Sequence, residues 1–182
     1  MQIRKEQLIE ELLSITENAA NAARQFKKFD TALLNFKKTS DSWSILECIE
    51  HLNLYGDFYL PEMEKQILAS KNSYASEHFR SGIIGNYFAN LMKEKNGKIK
   101  KMKTPKDKNP ANSELSITTI DRFLKQLDLL KSLLGQARGV DLTKVKTPIS
   151  LTKHIKLRLG DTFRFYVYHI ERHILQTGRV LK

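Results

Sequence analysis

Between Phe163 and Leu175 apolar side chains occur nearly all the way round a helical repeat: Phe163, Phe165, Tyr166, Val167, Tyr168, Ile170, Ile174 and Leu175. A helix of that kind cannot lie on a surface and has to be enclosed by other elements. The same stretch carries His169 and His173. Residues four apart sit one above the other on a single helix face. Burying two imidazoles there costs free energy unless something satisfies their nitrogens. One metal ion would do so at this spacing, with a third ligand drawn from elsewhere in the chain. A packed or solvated histidine pair is the alternative.

Most other apolar positions also recur in steps of three and four, which makes an all-α fold the expectation. Leu8, Leu12, Ile15, Ala19, Ala22 or Ala23, and Phe26 predict an amphipathic helix over residues 5–26, with Lys27 to Asp41 as a polar connection. Ser44-Ile45-Leu46-Glu47 fits a capping box, with Trp43 and Cys48 at the hydrophobic-staple positions. Glu47 then reads as a cap rather than a general base, and Cys48 as a packing residue rather than a nucleophile. The second helix follows with the stripe Ile45, Ile49, Leu52, Tyr59, Met63 and Ile67, and His51, Tyr55 and Phe58 on its shoulder. Pro61 predicts a kink there, and Glu50 and Asp57 face either solvent or a helix seam.

The periodicity breaks between Lys71 and Ser116 apart from a short helix from about Gly82 to Lys95. A connection that long is either functional or a crossover between bundle helices. A third long helix spans about Thr118 to Arg138 and stops at Gly139, and Val140 to Leu159 reads as an extended or irregular link. Asp161 stands in the first turn of the last helix, where its charge suits the helix dipole.

Composition narrows the function classes. A chain of 182 residues with 41% hydrophobic residues and 8 glycines suits one ordered domain over residues 1–182. One cysteine rules out an intramolecular disulfide framework. No apolar run approaches the roughly 18 residues that span a bilayer, and the charged, amphipathic start does not resemble a signal peptide, so a cytoplasmic protein is expected. The formal net charge is +11, and eight lysines against Glu94 and Asp107 between Lys93 and Lys108 supply more than half of it. A solvated loop, dispensable for folding, accounts for such a stretch better than a nucleic-acid surface does. Glycine-rich phosphate loops, a serine-nucleophile elbow, Cys-x-x-Cys and His-Glu-x-x-His are all missing, which leaves histidine chemistry.

Three stretches bear a family resemblance: Trp43 through Leu52 with His51; Lys103-Thr104-Pro105 with Pro110; and Gly139 through Leu142, then Leu159-Gly160-Asp161 to His169, His173 and Gln176. In this order the chain resembles the DinB/YfiT-like proteins, a group regarded as metalloenzymes, and in particular the DinB-like branch. The resemblance implies a four-helix bundle with a long crossover between helices two and three, at about residues 71–116. It also implies a metal held by His51, His169 and His173, all present here. Relatives include homodimers, transferases that use low-molecular-weight thiols such as bacillithiol or mycothiol, and a thiol-dependent isomerase.

Three imidazoles suit a divalent zinc, nickel, iron or copper ion without choosing among them, with zinc or nickel expected first and iron also, and they leave a coordination position open. A water held there could drop to a pKa of about 7 and a thiol could deprotonate outright, which supplies a nucleophile without a dedicated base. Gln176 could orient a small-molecule substrate or a water beside the ligands, though a helix-end polar residue explains it at least as well; Tyr55 and Tyr166 could donate hydrogen bonds near the site, but core packing explains both better. The leading expectation is a metal-dependent transferase or hydrolase that activates a small thiol or water. The alternatives are a binding module that uses the basic 93–108 segment and a metal-stabilised structural protein. Metal loading should fall as the pH drops below neutrality, since a free imidazole titrates near about 6.5.

Overall fold

A computed structural model describes residues 1–70, 75–93 and 102–180. Four long helices dominate it: α1 (Lys5–Phe26), α3 (Ile45–Ala69), α5 (Ile117–Gln136) and α6 (Leu159–Val180). The all-α reading holds, with α2 (Thr31–Asn35), α4 (Ile83–Met92) and two small antiparallel sheets added. Each of α1 and α3 packs against both α5 and α6. Among the described residues no helix is long and apolar enough to cross a membrane.

Side-chain pairs set the helix directions. Lys27 meets Asp121 at one end of α1 and Glu6 meets Arg138 at the other, so α1 and α5 are antiparallel. Asn53 donates to the Thr119 carbonyl, Arg122 pairs with Glu50 and Asp57, and Gln126 donates to Asp57, so α3 and α5 run the same way. Glu50 and Asp57 thus line a seam. On the opposite flank of α3, His51 is level with His169 and Tyr59 with Phe165, which makes α6 antiparallel to α3.

The capping box forms as the sequence predicts. Ser44 Oγ accepts from the Glu47 amide at 3.1 Å, and Glu47 Oε2 accepts from the Ser44 amide at 3.0 Å. Glu47 Oε1 additionally receives Lys37 Nζ at 2.7 Å and the Asn112 amide at 2.9 Å. Burial alone would raise the Glu47 pKa, but Lys37 and the Ser44 and Asn112 amides hold it below the usual value. The helix continues past Pro61 to Ala69.

Three connections differ from the sequence reading. The Lys27–Asp41 stretch contains α2, capped by the Asp30 side chain on the Leu33 amide at 2.7 Å. The Val140–Leu159 link is a hairpin of β3 (Lys146–Ile149) and β4 (Thr152–Arg158). Part of the lysine-rich connection, residues 94–101, lies outside the described residues. From Met102 onward that connection is docked rather than free: Lys108 Nζ donates to the Leu54 carbonyl at 3.0 Å and Pro110 is buried.

Asp161 does more than complement a dipole. Fully buried, it pairs with Arg164 and accepts from Ser81 Oγ and the Gly82 amide. It thereby ties the start of α6 to the start of α4. In the same turn, β2 (His78–Arg80) lays the buried Phe79 over Gly160.

A Cβ at Gly160 would stand 2.5 Å from the Phe79 ring, whereas one at Gly135 would meet open space. Gly160→Ala should therefore lower unfolding free energy by about 1–3 kcal/mol through overpacking. Gly135→Ala should raise it by up to about 1 kcal/mol through helix propensity. Urea titrations of both variants measure this, and equal effects would contradict the packing described.

Candidate metal centre

His51 stands on α3 one turn after Glu47, and His169 and His173 face it from α6. His51 Nε2 lies 3.1 Å from His169 Nε2, and His173 Nε2 lies 3.0 Å from the same atom. All three residues are buried, at 3%, 5% and 7% exposure. Among the described residues they form the group of His, Cys, Asp and Glu side chains close enough to share one ion.

The donor set fits a metal. His51 Nδ1 lies 2.6 Å from the Lys108 carbonyl. A carbonyl only accepts, so Nδ1 carries the proton and Nε2 presents a lone pair to the cluster. Among the described residues the His169 Nδ1 has no hydrogen-bond partner, and the Gln176 side chain lies within reach of His173. With three Nε2 atoms crowded together, protons can bridge them only in pairs, whereas one cation accepts all three lone pairs. A tetrahedral zinc with bonds of about 2.0–2.1 Å would hold its nitrogens about 3.3–3.4 Å apart, close to the 3.1 Å and 3.0 Å that separate His169 Nε2 from His51 Nε2 and His173 Nε2.

Electrostatics favour the same state. Burial pushes His51 down to about 4; its hydrogen bond to the Lys108 carbonyl opposes this, and the Lys108 charge adds to it. His169 is held well below the imidazole range by burial, then by His173, His51 and Arg172. Burial does the same to His173, followed by His51 and Arg172, with Gln176 acting weakly the other way. All three rings are therefore neutral near pH 7, the form that binds metals.

Aromatic rings surround the trio. Trp43 lies 4.7 Å from His51 and 5.9 Å from His173, Tyr55 lies 4.5 Å from His169, and Phe165 stacks on His169 at 5.8 Å. The trio opens into a cavity of about 630 Å³, whose wall includes Tyr55, Gln176 and the hairpin residues Ile149 and Leu157. That volume falls within the usual range for small-molecule sites. Trp43, expected as a staple, belongs to this wall; it precedes the helix, so no periodicity could have placed it. Arg172, also on the wall, was legible only as the residue three after His169. Tyr166 is core and not in the cavity. His78 and His154 are exposed on β2 and β4, away from the site. Cys48 packs as expected: burial, with Glu47 nearby, pushes its thiol up to about 12.

A family model described as the DinB superfamily matches residues 14–177, a span that contains all three histidines. The chain belongs to the DinB superfamily. No curated protein and no solved structure gives a significant match. This DinB-like chain thus combines the family's helical fold with three buried histidines able to bind one metal ion.

Unfolded, His51 has the ordinary imidazole pKa of about 6.5, and burial in the folded chain pushes it down to about 4. Between those values the unfolded chain binds the extra proton, so the metal-free protein gains stability with rising pH and loses it on acidification. Chemical denaturation of metal-free protein at steps from pH 7 to pH 4 should show a falling midpoint, less steep in His51→Ala. A midpoint independent of pH would contradict the buried neutral imidazole.

Proposed function

We propose that this DinB-like protein is a metal-dependent enzyme whose His51, His169 and His173 hold one divalent ion at the floor of the cavity. The observation that carries the reading is the convergence of three neutral Nε2 atoms on one point beside a space large enough for a substrate. Three imidazoles suit zinc or nickel first and iron also. Such an ion, with a position left open, supplies Lewis-acid activation of a small thiol for transfer or of water for hydrolysis.

The chain's own residues do the rest. The Lys108 carbonyl fixes the His51 tautomer, and Trp43, Tyr55 and Phe165 fence the histidines from bulk water. Gln176, beside His173 on the cavity wall, offers an amide to orient a bound molecule. Tyr55, pushed up to about 12 by burial with Tyr59 and Asp107 adding to it, stays protonated and can donate but cannot serve as a base near neutral pH. Among the described residues of the basic segment, Lys93 pairs with Glu11 and Lys108 donates to the Leu54 carbonyl, so these two lysines are engaged within the fold.

Elemental analysis of protein purified without an affinity tag should find about one ion per chain. His51→Ala, His169→Ala and His173→Ala should lose most of it, while His78→Ala, His154→Ala and Cys48→Ser keep it. The stability increment from metal, about 2.7 kcal/mol at a free concentration one hundred times Kd, should vanish in the first three and persist in the others. Burial moves the acid loss of metal below the neutral range expected of ordinary imidazoles. Incubation with a thiol panel and a halogenated electrophile then tests catalysis. Metal without metal-dependent turnover would leave a structural site, and metal retained by the three alanine variants would remove the ligand set.

A further inference from the structure

The histidines divide the cavity into two limbs of different polarity. Along α6, Phe165 stands one turn before His169, about 6 Å back along the axis, and Gln176 stands about 10 Å beyond it. Because α3 runs the opposite way, its residues after His51 fall on the Phe165 side, where the Tyr59 ring lies 5.6 Å from that of Phe165. Trp43 precedes α3 and falls on the other side, 5.9 Å from His173, with Asp41 and Ser42 beside it in the chain. One limb thus carries Asp41, Ser42 and Gln176, and the other is built of rings.

The ringed limb starts at the site itself, since Phe165 stacks on His169 at 5.8 Å. Phe88 of α4 meets Phe165 edge-on at 6.5 Å, and the buried Leu157 of β4 lines the cavity just ahead of α6. Tyr59 brings a hydroxyl, but it accepts from the Ser150 amide at 3.2 Å and lies 3.4 Å from Ser150 Oγ, so the hairpin uses it. Of the charged residues on the cavity wall, Asp41 belongs to the other limb, Arg172 stands two turns beyond Phe165, and Lys103 is exposed.

A recess of this kind penalises a charge or an unpaired hydroxyl, whose lost hydration nothing replaces, and favours a ring that packs on its walls. We propose that this limb is a subsite for an uncharged aryl group of the substrate, and that Phe88 sets the size it admits. The inference deepens the proposed function and rests on the cavity being its substrate site, with the reacting end at the histidines and the aryl end toward α4 and the hairpin. Phe88 can be changed without touching the cluster: its ring contacts are with Tyr87 and Phe165, whereas Phe165 itself lies on His169.

Protein as purified is titrated by calorimetry with three uncharged alcohols: phenylpropanol, its para-hydroxy derivative and naphthylpropanol. The para hydroxyl should weaken binding about tenfold, because the limb would bury it without a partner. Phe88→Ala should raise the ratio of naphthyl to phenyl affinity about tenfold, and Phe88→Trp should lower it. Phe88→Leu, a milder truncation, should move the ratio in the same direction as Phe88→Ala and replaces it should that variant fail to fold. Circular dichroism checks folding, and metal content is measured in each preparation. No binding of phenylpropanol, equal affinity for its para-hydroxy derivative, or a ratio unmoved by the Phe88 variants would each overturn the inference. Aryl binding that depends on Phe88 in a protein that takes up no metal would sink the metal reading alone. Metal bound as expected, with a ratio indifferent to Phe88, would sink this inference alone.

Discussion

Three neutral imidazoles held together in an apolar interior set the terms for the rest of the molecule. Desolvation disfavours their charged forms, and His169 Nε2 lies 3.1 Å from His51 Nε2 and 3.0 Å from His173 Nε2, so lone pairs face one another. Such a cluster persists only if the helices that carry it cannot slide. The buried Glu47 carboxylate supplies much of that restraint on α3. It closes the capping box on Ser44, receives Lys37 from the segment before the helix, and receives the Asn112 amide from the connection after it. That second contact brings the connection within reach of the site, where the Lys108 carbonyl settles the tautomer of His51.

The α6 side depends on a second buried carboxylate. Asp161 and Arg164 are almost fully enclosed, a placement that costs more in desolvation than the attraction returns unless their remaining hydrogen-bonding capacity is used. Here Ser81 and the Gly82 amide use the carboxylate, and Ser81 and Asn86 use the terminal guanidinium nitrogens, while among the described residues the Arg164 Nε has no hydrogen-bond partner. The contacts fix α6 against α4 at its first turn. His169 lies eight residues further on, about 12 Å along the axis at 1.5 Å per residue. The height at which His169 meets His51 is thus set at the far end of the same helix.

What the sequence disclosed follows from which features are local. The four long helices were legible because their apolar stripes repeat every three to four residues, and the capping box because it is written within four positions. His169 and His173 were legible as a pair for the same reason. His51 was tied to them only by resemblance, because the α3–α6 contact joins positions far apart in the chain. The hairpin escaped because Pro148 argues against a strand except on an edge, and in a two-stranded sheet both strands are edges. Trp43 and Lys108 act from outside the four long helices, through a ring face and a backbone carbonyl. Neither leaves a trace in periodicity.

The division between helix and connection also separates two kinds of chemistry. The nitrogens sit on α3 and α6, where packing fixes them; much of the cavity wall comes from Thr39–Trp43, Met102–Pro105 and Ile149–Leu151, in irregular segments or at the hairpin. Rigid elements suit ligand geometry, and connections suit discrimination, since they change sequence without moving the core. Different connections around the same histidines would change what reaches the cluster, provided one still set a carbonyl on His51 Nδ1 as Lys108 does.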